Sequence, residues 1–451
     1  MAERRVGPSS YFDPSRVDSL DAPTADLVRR RVGVLGPAYR LFYRTPLHVV
    51  RGEGVHLYDA DGAEYLDFYN NVASLGHAHP RVTAAIAEQA AVLNTHTRYL
   101  HEGIVRYSEQ LLATMPSSLG HVMYACTGSE AGDLALRIAK YFTGGTGVVV
   151  TRNAYHGVTT EMASVSPSLG GLESLPPWVR VVPAPDTYRT DTTGYAGIGE
   201  WFAAQVQDAI DDLAAHGVRF AALLADSIFS SDGVFTDPAG FLAPVRRVVA
   251  DAGGVYLADE VQPGFGRTGD AMWGFQRHGT DADPFEPDMV TLGKPMGNGM
   301  PVAAAVMRPE VVEAFGREQR YFNTFGGNAV SIAAAQAVLD VVQEEHLQDN
   351  AALVGDRMRD DLRALAAAHP SVGDVRGAGL FLGVELVDAD GAPDEGLTLQ
   401  VINGLKERHV LVATSGLENN VLKVRPPLIA TLADSDRFVT ELDATLTDLH
   451  A

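Results

Sequence analysis

Short apolar runs and longer amphipathic ones alternate between residues 121 and 307, and this alternation limits the fold more than any other feature. HVMYACTGSEAGDLALRIAKYFTG reads as strand, tight turn and helix. VVVTRNAYHG reads as a strand with a polar exit, WFAAQVQDAIDDLAAHG as an amphipathic helix, and FAALLADSIF as the strand that follows it. PAGFLAPVRRVVADAG is another helix, closed by glycine. VYLADEV, MVTLGK and VAAAVM are short and apolar enough to be buried strands. Strands alternating with helices build βαβ units, which give a largely parallel sheet covered by helices on both faces. The expectation is an α/β fold whose functional groups sit at the carboxyl ends of strands. Residues 160–200 are rich in Pro, Ser, Gly and Thr and read as loops.

VHLYDADGAEYLDF alternates apolar and polar residues around Asp61-Gly62, a hairpin signal. After NTFGGN comes a long apolar helix, SIAAAQAVLDVVQ, and the last stretch carries the short strands GLFLGVEL, VLVAT and VLKVRPP. The reading is an N-terminal arm and part of a small domain over 1–75, a large domain over 76–326, and a small α+β domain over 327–451. A chain of 451 residues, 46% hydrophobic, can fill more than one core. Its net charge of −22 repels phosphate backbones and anionic lipid, which argues against nucleic-acid or membrane partners. Cys126 is the single cysteine, MAERRVGPSSYFDP has no apolar signal core, and no run is long enough to span a bilayer. A cytoplasmic protein is expected.

Two of the apolar runs end in groups that belong together chemically. VYLA runs into Asp259-Glu260, and MVTL runs into Gly293-Lys294-Pro295. A carboxylate after a buried strand needs a partner. A lysine that holds an aldehyde as a Schiff base, beside an acid that keeps a pyridine nitrogen protonated, is the pair that pyridoxal 5'-phosphate (PLP) requires. Thr127-Gly128-Ser129 lies at a strand-to-helix turn. Whether or not Ser129 caps the helix, the turn offers backbone N–H groups and a hydroxyl to an anion. Tyr155-His156-Gly157, at the exit of the next strand, supplies an aromatic that can stack on a flat ring. Residues 264–269 match GxGxxG by letters but follow Pro263 and open no periodic helix, so they do not read as a nucleotide loop. His77 and His79 lack a third ligand at metal spacing, and no GxSxG elbow is present.

With these residues in view, the chain resembles the class III aminotransferases, PLP enzymes of fold type I, from about residue 40 to the C-terminus. The motifs are TGSEA at 127–131, AYHG at 154–157, ADEVQPGFGRTG at 258–269, TLGKPMGNG at 291–299, NTFGGN at 323–328 and RPP at 425–427. The resemblance implies a large domain with a mostly parallel, seven-stranded type of sheet between helices, and a small α+β domain built from both chain ends. It implies that Lys294 forms the Schiff base and shuttles the proton, with Asp259 on the pyridinium nitrogen and Tyr155 stacked on the ring. Val261 would pack beneath the ring and Gln262 would reach its phenolic oxygen. Gly128 and Ser129 would hold the phosphate, with His156 and Asp226 also in the cofactor site. Thr324 would reach the phosphate of a neighbouring subunit, so a homodimer with its site at the interface is implied. Arg425 matches a position that grips substrate carboxylates, and Arg98 and Arg40 are further candidates for a substrate anion.

Two departures from the family pattern stand out. Asp226 occupies a position where many members carry a Glu that pairs with the carboxylate-binding arginine, and Gly132 replaces an Asn at the helix start. The expected reaction is amino transfer from a small primary amine or amino acid to a keto acid. The alternative is a phospho-lyase acting on O-phosphoethanolamine or a related amino-alkyl phosphate. Segments such as NNVASLGHAHP and LNTHTRYLHE resemble the phospho-lyase branch, whereas an arginine at 425 favours transamination.

Overall fold

A computed structural model describes residues 10–280 and 282–450. At its centre is a seven-stranded sheet. From one edge its order is His121–Ala125, Ala303–Met307, Met289–Leu292, Val255–Asp259, Phe220–Asp226, Gly147–Thr151 and Val179–Val182. All neighbours run parallel except the strand Ala303–Met307, which is antiparallel to both of its neighbours. The reason lies in the connection. Only the Lys294–Gly297 turn and a few residues separate this strand from Met289–Leu292, too little chain for a crossover helix.

The parallel strands are buried on both faces, as their near-continuous apolar character requires. Val255 and Leu257 join Leu134, Ile138, Val148, Val150 and Leu224 under the helix Gly128–Thr143, while Tyr256 and Ala258 join the core on the opposite face. Period-two alternation thus aims Asp259 at the face covered by the Gly128–Thr143 helix. The helix Ala329–Glu344 is apolar almost all round, and residues from Ala329 to Val342 are buried along its length.

Residues 160–200 are not all loop. A five-residue helix spans Thr160–Ser164, and Val179–Val182 forms an edge strand paired in parallel with Gly147–Thr151. This strand is four residues long, flanked by prolines and broken by Arg180, so its pattern is too short to stand out. The segment 264–269 is a chain of turns.

Two four-stranded sheets complete the fold. One pairs Val372–Ala378, Phe381–Leu386, Val421–Val424 and Ala413–Ser415, all antiparallel. The other contains the His56–Asp59/Glu64–Asp67 hairpin and takes in a strand from far along the chain, Val410 pairing with Leu66. The chain ends therefore share a sheet. This is an α/β fold of type I with a smaller α+β unit drawn from both ends.

Candidate active site

The sheet register brings the chemistry together. Asp226 pairs with Asp259, and Asp259 with Thr291, so three polar side chains stand abreast at the carboxyl ends of adjacent parallel strands. Lys294 follows three residues later, at the start of its turn. Gly128 and Ser129 open the helix Gly128–Thr143 on the same side. One cleft is lined by these two residues with Tyr155, His156 and Gly157, and by Asp226, Asp259, Val261, Gln262 and Lys294.

Local packing explains the glycines. A Cβ on Gly128 would meet a Val261 methyl at 3.1 Å, and one on Gly293 would meet the other at 3.3 Å. Val261 thus sits in a slot that two glycines leave open. Gly157 has φ +144°, and a Cβ there would lie 2.5 Å from Ser129 Oγ. The Tyr155 loop can therefore lie directly on the helix start, where Val158 N–H donates to Ser129 Oγ at 3.0 Å. The helix cap is Thr127, not Ser129. Thr127 Oγ1 accepts from Glu130 N–H and Glu130 reaches back to the cap, a reciprocal box. Ser129 is left inside the first turn, where its hydroxyl can still donate. Gly132 is explained by packing: a Cβ there would meet Met162 Sδ at 2.5 Å.

Asp259 is 7% exposed. Its Oδ1 accepts from Val261 N–H at 3.0 Å and Thr291 Oγ1 at 3.3 Å, and its Oδ2 lies 2.6 Å from His156 Nδ1. His156 Nε2 is buried without a partner. Lys294 Nζ lies 6.0 Å from the Tyr155 ring centroid. Burial, reinforced by Arg425, holds the Lys294 amine below the ordinary lysine range, which favours the neutral, nucleophilic form.

Arg425 does not meet Asp226. Its Nε donates to Tyr69 O at 2.6 Å and its Nη1 to Gln262 Oε1. Asp226 instead accepts from Ile228 N–H at 3.0 Å and from the Ser230 N–H and hydroxyl. Gln262 donates to Ser230 Oγ and so bridges the two. Ser230 and Gln262 thus stand between the acid and the arginine. Arg267 donates to Leu380 O and Pro426 O, fixing the turn beside Arg425.

Arg40 and Arg98 part company. Arg40 lies 5.3 Å from the Tyr11 ring; Tyr11 stacks on Phe42 and Phe42 meets Tyr69 edge-on, so an aromatic row runs from Arg40 to the Tyr69 ring under Arg425. Arg98 lies 3.8 Å over the Phe322 ring and lines a separate cavity with Tyr124 and Asn323. Thr324 is exposed and does not line the Lys294 cleft of its own chain. Ser230 and Thr291 are not singled out by the sequence; each acts through an acid, Ser230 on Asp226 and Thr291 on Asp259.

A family model described as aminotransferase class III matches residues 42–446. The chain belongs to the class III aminotransferases. Among its relatives, an alanine–glyoxylate aminotransferase 2-like protein of Drosophila melanogaster is 39% identical, over 98% of this chain and 90% of that protein. An ethanolamine-phosphate phospho-lyase homologue of Caenorhabditis elegans is 36% identical over 94% of this chain and 93% of its own length. Among solved structures, a phospholyase from Arthrobacter in complex with phosphoethanolamine superposes with a TM-score of 0.89 at 42% identity, covering 94% of this chain and 99% of that one. As a class III aminotransferase the chain is an enzyme whose cofactor is PLP. The cleft fits that group: a buried amine held below the ordinary lysine range, a buried carboxylate with two oriented donors, and a helix start over which the loop at Gly157 lies closely. Among the described residues no helix is long and apolar enough to cross a membrane, and no group of three or more His, Cys, Asp or Glu could hold a metal ion.

Proposed function

We propose that this enzyme eliminates phosphate and ammonia from a small amino-alkyl phosphate such as O-phosphoethanolamine. One observation carries the reading. Arg425 is 6% exposed, and no carboxylate pairs with it among the described residues; its side-chain acceptors are Tyr69 O and Gln262 Oε1, both neutral. A transaminase that alternates between substrates with and without an acidic group needs a resident anion to occupy its arginine in turn. Here no carboxylate binds the guanidinium directly, and Asp67, whose charge acts on it, is held by His77 at 2.8 Å, so each substrate brings its own anion. A phosphate dianion does so in every turnover, and the likeness to the Arthrobacter phospholyase agrees.

Bound PLP supplies an electron sink for the pair left when Cα loses a proton. The chain supplies the rest. Lys294 would hold the cofactor and move the Cα proton. Asp259, oriented by His156 and Thr291, would keep the ring nitrogen protonated. Tyr155 and Val261 would hold the ring, and Gln262 would serve its oxygen. Gly128 and Ser129 would bind the cofactor phosphate at the positive end of their helix. Arg425 orients the substrate anion, with Arg40 at the outer end of the aromatic row.

Transamination between carboxylate-bearing partners is the second reading, favoured by the guanidinium fork of Arg425, which suits a planar carboxylate. Incubating the holoenzyme with O-phosphoethanolamine and no keto acid separates the two. Repeated release of phosphate and ammonia supports elimination. No release, with alanine formed from pyruvate and an amine donor, sinks it.

The working form in this reading is a homodimer. Thr324 sits on an exposed loop beside Phe325, which is 68% exposed, and Tyr99 and Leu100 are likewise open. Such apolar exposure fits burial by a second copy, whose cofactor phosphate Thr324 would then reach. A reducing, cytoplasmic setting fits the single cysteine.

A further inference from the structure

The segment from Asp67 to His77 touches both halves of the site. Near its start, Phe68 O accepts from Arg425 N–H at 2.8 Å and Tyr69 O accepts from Arg425 Nε at 2.6 Å. Further on, Ser74 O accepts from Leu428 N–H at 2.7 Å, which fixes the chain just past the arginine. The same stretch grips the turn that carries Lys294. Ser74 Oγ donates to Pro295 O at 3.2 Å, Leu75 N–H donates to Asn298 Oδ1 at 2.9 Å, and Asn298 Nδ2 donates back to Gly76 O at 2.9 Å. There is little slack. Gly76 has φ +83°, and a Cβ there would lie 2.6 Å from Ile429 Cδ1 and 2.8 Å from Gly54 O.

The two ends of this segment close on each other. Asp67 is buried, and its Oδ1 accepts from Tyr69 N–H at 3.1 Å and from Asn70 N–H at 3.0 Å. Its Oδ2 accepts from His77 Nε2 at 2.8 Å. A carboxylate can only accept, so the proton of that bond belongs to His77. One acid thus shapes the turn whose carbonyls hold Arg425 and ties it to the far end, where His77 exchanges backbone hydrogen bonds with Gly54. A segment closed in this way has fewer arrangements open to it than a free one. We propose that the Asp67–His77 clasp fixes the spacing between the Lys294 amine and the Arg425 guanidinium, and with it the length of substrate that the enzyme accepts. The inference rests on the reading above, in which the substrate's amine is seated beside Lys294 and its phosphate on Arg425. A molecule that spans the two must match their separation. One that falls a bond short forfeits charge-assisted contacts or draws the arginine off Tyr69 O. Asp67 and His77 act through Arg425 and are positioning residues.

The test compares two inert analogues by calorimetry on the holoenzyme. 3-Aminopropylphosphonate has the amine-to-phosphorus span of O-phosphoethanolamine, with a methylene in place of the bridging oxygen, so it cannot lose phosphate. 2-Aminoethylphosphonate is one atom shorter. The native enzyme is expected to bind the longer compound about tenfold or more tightly, since an anion misplaced by a bond length loses its oriented contacts. Asp67→Ala, and His77→Ala at a less buried position, are expected to erase most of that preference. Asp67→Asn still offers an oxygen to the Tyr69 and Asn70 N–H groups and an amide to His77, and is expected to keep the native ratio. General loosening of the site would weaken both compounds alike, so an unchanged ratio in the two alanine variants overturns the proposal. A native enzyme that binds both compounds equally, or an Asp67→Asn ratio that collapses with those of the alanine variants, also overturns it. These outcomes leave the lyase reading intact. A native holoenzyme that binds neither compound overturns both.

Discussion

In the proposed mechanism Lys294 and Asp259 divide the work that PLP demands, and their replacements separate the two roles. Lys294→Ala is expected to cost roughly 10⁴-fold in turnover, because the proton at Cα loses its carrier. Absorbance should show substrate amine held on the cofactor without product. Near-normal rates would mean that another amine acts. Asp259→Asn is expected to retain cofactor and lose about 10²–10³-fold in kcat, since the ring nitrogen no longer faces a full charge. Unchanged kcat removes Asp259 from that role. Asp232 carries a pH signature. Burial pushes its carboxyl up to about 6, from 3.8. The folded state thus prefers the protonated form. The stabilisation is complete below the unfolded value and is lost as pH rises through about 6, to the extent of about 3 kcal/mol. Asp232→Asn should flatten the fall in melting temperature between pH 4 and pH 7; an unchanged slope would place the titration elsewhere.

At the scale of elements, the Tyr155 loop lies directly on the start of the helix Gly128–Thr143, and the proposed cofactor cradle depends on that contact. Gly157→Ala forces a Cβ to within 2.5 Å of Ser129 Oγ and 2.8 Å of Ser129 Cα. The expected cost is about 1–3 kcal/mol, together with weaker PLP retention on dialysis. Full retention and an unchanged melting temperature would show that the loop can lift away freely. This contact also marks how far residues can be read without coordinates. The inner parallel strands were legible because each is a buried run long enough to break the helical pattern, and Asp259 and Lys294 were legible because they end such runs. Val179–Val182 was not, since an edge strand of four residues with an arginine carries little periodic signal. The Asp226–Arg425 relation was not legible either. It depends on Gln262 coming from another loop to meet Ser230, four residues after Asp226, and pairing of that kind exists only in three dimensions.

For the whole molecule the decisive question is what covers the exposed apolar residues near Thr324. Leu100 is fully exposed and Phe325 is 68% exposed, while Arg98 rests on Phe322 close by. Sedimentation is expected to give twice the chain mass of 48.1 kDa. Phe325→Glu should shift it toward the monomer and release PLP in step, because Thr324 would leave the neighbouring site. A dimer that survives this change with its cofactor intact would put the interface elsewhere.

The pairing of Val410 with Leu66 joins segments made early and late in synthesis. The backbone of Phe68 and Tyr69 then receives Arg425, so the wall proposed to face substrate is assembled from both. A ribosome-bound chain can complete the central sheet while this wall still lacks its last components. Nascent protein should therefore be able to capture PLP before it can discriminate among amines, and selectivity would be the last property to mature.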